Sequence, residues 1–172
     1  MKNSTKLRQS APVAFGLIVL TIAMLDLWSK SAMIAWLTTA RRTIEVTPFF
    51  NLRIGYNPGI SFGLFPAESD LSRALLIGFA LAATLLVVWL GLRSRVWIER
   101  LGFALIAGGA IGNVIDRSGD GFVTDFLDFH AFGWHWPTFN LADVAITIGV
   151  ITILTISLFA DRSTQPVKDQ TR

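Results

Sequence analysis

Apolar residues in this chain mostly do not alternate with polar ones; they run on. Four nearly unbroken stretches lie at about 11–27, 71–92, 96–115 and 139–160. Each is near the roughly 20 residues a helix needs to cross the hydrocarbon core of a bilayer. The pattern predicts an all-α membrane protein with helices at about 11–30, 71–92, 96–117 and 139–160, forming one membrane-embedded domain over 1–172. Only Arg93, Ser94 and Arg95 separate the second run from the third, so those helices should form a tight hairpin. The first run follows Lys2, Lys6 and Arg8, as a cleavable leader does. It ends in Asp26-Leu27-Trp28-Ser29-Lys30 rather than in a small-residue cleavage site, so it reads as a retained span.

The connections have other patterns. Thr43-Ile44-Glu45-Val46-Thr47 alternates with period two, and Phe49–Ile54, after Pro48, is rich in strand formers. Tyr56-Asn57-Pro58-Gly59 is a turn signal, with Ile60, Phe62, Leu64 and Phe65 beyond it. A small antiparallel sheet over about 43–66, at the membrane surface, is predicted. The second connection, about 117–138, is aromatic and acidic; it reads as a loop or helix covering a site at headgroup level.

Composition sharpens this picture. Of 172 residues 52% are hydrophobic and 16% charged, where soluble domains carry about 25% charged. The net charge of +3 does not point to nucleic acid, because the cations flank apolar runs and make no continuous basic face. With both termini in the cytoplasm, that side holds nine basic and three acidic residues, and the other side six and nine. The positive-inside rule favours that orientation. Cysteine is absent, which excludes thiolate nucleophiles, disulfides and cysteine metal sites.

Ionisable and amide side chains at membrane depth are costly, so each is a candidate for function. Asp26 and Lys30 share a helix face, four apart, and suit a self-neutralising ion pair. Asn57-Pro-Gly59 is a turn that permits close backbone approach. Gly108 and Gly112 form a small-xxx-small packing face, with Asn113, Asp116 and Arg117 along the same helix. Asp143 lies just inside an apolar helix, one turn after Asn140, with no basic residue within a turn. Two carboxylates sharing a proton can deprotonate a water and protonate a leaving group. Asp125 and Asp128 are the nearest candidates for the second carboxylate, with Asp116 and Asp120 also available; spacing does not choose among them. A serine–lysine peptidase is disfavoured because Ser29 and Lys30 are adjacent and face apart. A metalloprotease lacks its motif, since His130 and His135 are the only histidines. A small proton-coupled membrane carrier is the alternative from another class.

The motifs Asp26-Leu-Trp-Ser-Lys30, Asn57-Pro-Gly59-Ile-Ser-Phe62, Gly108-Gly-Ala-Ile-Gly-Asn113-Val-Ile-Asp-Arg117, Val123-Thr-Asp125-Phe and Phe139-Asn140-Leu-Ala-Asp143 occur in order. The chain thereby resembles the bacterial lipoprotein signal peptidases, the signal peptidase II family, over nearly its whole length. The resemblance implies an aspartic endopeptidase of the cell inner membrane with its site near the periplasmic face. Its substrate would be a diacylglyceryl-modified prolipoprotein, cut before the lipidated cysteine. The resemblance selects Asp125 and Asp143 as the catalytic pair. It implies supporting or substrate-contacting roles for Asp26, Lys30, Asn57, Gly59, Gly109, Asn113, Arg117, Asn140 and Ala142. No metal or cofactor is expected; the expected partners are the lipidated substrate and membrane lipid, and the expected state is a monomer.

Overall fold

The computed structural model describes residues 2–40, 43–59 and 69–162. Its elements run α1 (Lys2–Ala40), β1 (Ile44–Thr47), β2 (Phe50–Asn57), α2 (Asp70–Arg93), α3 (Trp97–Asp120), β3 (Val123–Ala131), β4 (Trp134–His135) and α4 (Leu141–Arg162). The spans Ala11–Thr39, Asp70–Arg93, Trp97–Asp120 and Leu141–Phe159 are each long and apolar enough to cross a membrane. Leu17 and Met24 on α1, Phe79 and Leu85 on α2, and Leu154 and Leu158 on α4 are all more than half exposed. So much outward apolar surface on helices that satisfy their own backbone suits lipid, not water.

α3 is the hub, packing on α1, α2 and α4. Glycines let it do so. A Cβ on Gly108 would fall 2.7 Å from Ile22 Cβ of α1, and one on Gly112 2.5 Å from Asp26 Oδ2. Gly109 faces α4 instead, where a Cβ would meet the Ala142 carbonyl oxygen at 2.5 Å. The small-xxx-small face at Gly108 and Gly112 is thus the α1 contact, and Gly109 with Ala142 is the α4 contact.

α1 continues well past the predicted end near 30. The polar residues there do not stop it, because they bond within the helix: Ser29 Oγ donates to Asp26 O, Ser31 Oγ to Leu27 O, and Thr39 Oγ1 to Ala35 O. Lys30, four residues on, is neutralised by Asp26.

The strands form one antiparallel sheet in the order β1-β2-β3-β4. The two strands read before Asn57 are present. The apolar run after Gly59, assigned to the same sheet, lies outside the described residues. The connection read as a loop or helix over the site is instead β3 and the β3–β4 hairpin. Val123-Thr124-Asp125-Phe126-Leu127 is strand-forming, and three neighbours pair with β3: β2, β4 and Phe139, whose backbone bridges Leu127. Phe126 and Leu127 N–H groups both donate to Phe139 O, at 3.0 and 2.9 Å. This clamp joins β3 to the start of α4. Opposite it, the β2–β3 register shifts between Leu52 and Gly55, and Gly55 then pairs with Asp125. A Cβ on Gly55 would meet Thr138 Oγ1 at 2.8 Å, so only glycine lets the strand and the 136–139 segment come this close.

Candidate active site

Asn140 organises the start of α4. Its Oδ1 accepts the Asp143 N–H at 3.0 Å, while its own N–H donates to Asp143 Oδ2 at 3.2 Å. This is a reciprocal capping arrangement, and it fixes the Asp143 carboxylate at the helix entrance. The Asn140 Nδ2 donates to Asp125 Oδ1 at 2.7 Å and lies 3.3 Å from Thr124 O. One fully buried asparagine therefore holds two carboxylates from two elements. Asn113 holds Asp143 from the other side, with Nδ2 donating to Oδ1 at 2.9 Å.

Behind this pair lies a buried charge network. Lys30 Nζ reaches Asp26 Oδ2 at 2.7 Å, Asp116 Oδ2 at 3.2 Å and Asn113 Oδ1 at 2.8 Å. Together with Asn140 Nδ2, which donates to the same oxygen at 3.2 Å, it sets which way the Asn113 amide faces, so that Nδ2 points at Asp143. Asp26 Oδ1 accepts the Ala142 N–H at 2.9 Å, satisfying a first-turn donor of α4. Asp26 and Lys30 thus form the expected ion pair, and they also carry α1 into the site.

Arg117 does not hydrogen-bond to Asp116 or Asp120 among the described residues. Its guanidinium donates to Asn57 O at 3.3 Å and Gly59 O at 2.5 Å, gripping the turn after β2. Asn57 Oδ1 accepts the Gly59 N–H at 3.0 Å, the local turn bond its sequence suggests. Asn57, Gly59, Asn113, Arg117, Asp125 and Asp143 meet at the polar end of a cavity of about 750 Å³. Its remaining wall is mostly apolar and comes from α2, α3, α4 and the 136–139 segment.

A family model described as Signal peptidase (SPase) II matches residues 18–159. The chain belongs to the signal peptidase II family. The lipoprotein signal peptidase of Francisella tularensis subsp. novicida (strain U112) is 38% identical over 151 residues, covering 86% of this chain and 92% of the relative. That of Burkholderia thailandensis strain E264 is 46% identical over 111 residues, covering 64% of this chain and 67% of the relative. A solved structure described as a bacterial membrane enzyme superposes with a TM-score of 0.72 at 27% identity, covering 92% of this chain and 94% of the other.

In this signal peptidase II chain the two carboxylates differ in setting. Asp125 is 3% exposed. Burial, and next the nearby Asp143 carboxylate, push its pKa up from 3.8 to about 7; hydrogen bonds from Asn140 and Asn57 and the Lys30 charge oppose this. The folded protein therefore binds this proton more tightly than the unfolded chain does. The resulting stability is fully present below about pH 4 and is lost as pH rises through about 7. Thermal unfolding in detergent should show the midpoint falling between about pH 4 and 7, and the fall should be shallower in Asp125→Asn. Equal pH slopes in the two proteins would contradict it.

Asp128, the other near candidate, is turned away. It is fully buried in the sheet, where His135 Nδ1 lies at 2.9 Å, Arg53 Nε at 3.0 Å and Asn51 Nδ2 at 3.2 Å. Burial works against its charge, but those partners hold its carboxyl below the ordinary range. Asp128→Asn is expected to lower thermal stability while each folded molecule keeps substantial activity; full loss in a well-folded variant would contradict this.

Two residues near the site were not singled out as supports. Asp116 Oδ2 accepts the Thr124 N–H at 2.7 Å while resting on Lys30, so it ties α3 to β3 beside Asp125. Its sequence signal was a carboxylate one turn after Asn113, read only as a possible member of the pair. Thr124, 1% exposed, offers its carbonyl to Asn140; in the sequence it stands out only as a member of the Val123-Thr-Asp125-Phe motif.

Proposed function

We propose that this protein is an aspartic endopeptidase that removes the signal peptide from diacylglyceryl-modified prolipoproteins, cutting before the lipidated cysteine. The observation that carries the aspartic mechanism is the pair of carboxylates, Asp125 and Asp143, bridged by Asn140 at the polar end of an otherwise apolar cavity. The lipoprotein substrate is supported by the family and by the printed names of its relatives. The lipidated cysteine and the cut before it are supported by the motif resemblance.

The proposed chemistry needs one proton shared between two carboxylates. Asp125, with its raised pKa, enters protonated. Asp143 takes a proton from water as the water oxygen attacks the scissile carbonyl carbon. Asp125 gives its proton to the carbonyl oxygen, forming a neutral diol. The proton on Asp143 then passes to the leaving nitrogen, the C–N bond breaks, and the diol returns a proton to Asp125. Activity should decline on the alkaline side as the pair loses its shared proton.

The cavity suits a substrate drawn from lipid. An extended peptide brings backbone groups that cost several kcal/mol each if unsatisfied in hydrocarbon. We assign Asn57 and Gly59, which line the cavity, to the peptide path, and Arg117, which bonds both of their carbonyls, to holding their turn. In the bilayer, we assign both termini to the cytoplasm and the sheet to the outer face of the inner membrane, from the charge asymmetry.

Asn57→Ala and Asn140→Ala are each expected to lower turnover roughly ten-fold or more, as loss of a buried hydrogen bond worth about 1.5–3 kcal/mol would. Asn140→Ala should also lower the melting temperature, since Asn140 caps α4, whereas Asn57→Ala should change it little. Normal specific activity in the folded fraction would assign both residues a purely structural role. Pulse-chase of a lipoprotein precursor in cells depleted of this protein tests the activity itself. Precursor should accumulate and clear on re-expression; unchanged processing would favour the carrier reading.

A further inference from the structure

The β3–β4 hairpin has a feature that neither the sheet nor the cavity requires. Ala131 pairs with Trp134, closing a two-residue loop of Phe132 and Gly133. Both have left-handed backbones, with φ of 52° and 81°. Such loops favour asparagine, aspartate or glycine at the first position, because a bulky side chain there is strained. This chain places phenylalanine in that slot and holds it 108% exposed, touching nothing of its own fold.

The surroundings share its character. Residues 129–138 include Phe129, Phe132, Trp134 and Trp136 and contain no Asp, Glu, Lys or Arg. Those four aromatics are 42%, 108%, 61% and 48% exposed. The two histidines of the hairpin are engaged with the sheet: His135, its side chain 44% exposed, is bonded to the buried Asp128, and His130 stacks on His135 at 4.9 Å. Trp134 meets Trp136 edge-on at 5.7 Å. Trp136, with Pro137, Thr138 and Phe139, is part of the cavity wall that continues onto α2 and α4. The aromatic ledge is therefore continuous with the lipid-facing surface of the spanning helices.

We propose that the β3–β4 hairpin is an interfacial anchor, with Phe132, Trp134 and Trp136 seated in the headgroup layer of the leaflet on the sheet's side of the membrane. Amphipathic indole rings favour that layer, and a phenyl ring gains by leaving water for its inner edge. A bilayer fits better than a protein partner because the ledge carries no charge to set a register and adjoins surface that lipid already covers. Anchored there, the hairpin fixes the height of β3, and so of Asp125, relative to the membrane. The inference depends on the spanning helices and not on the proposed peptidase activity.

The chain has no cysteine, so Phe132→Cys takes a single nitroxide label. The labelled protein would be placed in phosphatidylethanolamine–phosphatidylglycerol vesicles at about one chain per vesicle, which removes protein partners. Power saturation with oxygen and with a water-soluble nickel chelate then reads depth. Glu45→Cys on β1 serves as the water reference and Leu85→Cys on α2 as the lipid reference. The expected oxygen-to-nickel accessibility ratio at 132 is roughly three-fold or more above that at 45 and below that at 85. A ratio equal to that at 45 would overturn the proposal. Trp134→Cys, on the adjoining strand, should report a similar depth; if 132 is shielded and 134 is not, the hairpin does not lie in the layer as proposed. Phe132→Asn suits the left-handed slot and should melt in detergent at or above the wild-type temperature. A lower melting temperature would assign Phe132 a packing role and contradict the anchor.

Discussion

Asp125→Asn and Asp143→Asn should each lower precursor cleavage by roughly 10²–10⁴-fold, the range that a positioned acid or base contributes. An amide can neither take a proton from water nor pass one on to the leaving nitrogen. Both variants should remain folded and membrane-inserted. Asn at 125 still offers Oδ1 to Asn140 Nδ2, which donates to Asp125 at 2.7 Å in the native chain. The Asn113 side chain and the Asn140 backbone bond different oxygens of the native carboxylate, so Asn at 143 keeps one of these two bonds and gives up the other. Specific activity measured beside thermal unfolding on the same purified samples checks the prediction. Near-native turnover by either well-folded variant would remove that residue from the catalytic pair.

Lys30→Met is expected to cause the largest loss of stability, about 3–5 kcal/mol, the cost of removing one partner from a buried ion pair. Lys30 is 2% exposed and lies within reach of both Asp26 and Asp116. Its loss leaves the Asp26 carboxylate fully buried without its cation. A second effect should follow in whatever fraction folds. Asn113 Oδ1 loses the Lys30 donor and keeps only the longer 3.2 Å bond from Asn140 Nδ2, so the amide is held less firmly and its Nδ2 is aimed less well at Asp143. Turnover per folded molecule should then drop roughly ten-fold or more, consistent with about 1.4 kcal/mol or more of lost positioning. Unfolding midpoints in detergent and single-turnover rates read the two effects separately. An unchanged midpoint would mean that the network contributes nothing to the fold.

The helices were legible because a bilayer demands long apolar runs, and the chain supplies four. Their ends were less so. The end of α1 was placed too early because Asp26, Ser29 and Lys30 look like a stop, whereas each finds a partner within the bundle or the helix itself. β3 was hidden for the opposite reason. Its acidic residues resemble a solvated loop, but Asp125 and Asp128 are buried and take their partners from other elements, which sequence spacing does not record. The same blindness explains why local reading left Asp125, Asp128, Asp116 and Asp120 open. The decisive contacts run from Asn140, Arg53 and His135, and only the fold brings them together. The role of Arg117 likewise depended on a turn 58–60 residues away in the chain.

The most direct test of the proposed reaction is mass spectrometry of the products formed by the purified protein in lipid bicelles, with a synthetic diacylglyceryl-modified prolipoprotein as substrate. Two fragments are expected, a free signal peptide and a lipid-bearing polypeptide whose new N-terminus is the modified cysteine, and neither should appear with Asp143→Asn. Intact substrate with the wild-type protein, cleavage at another bond, or the same two fragments from Asp143→Asn would contradict the account.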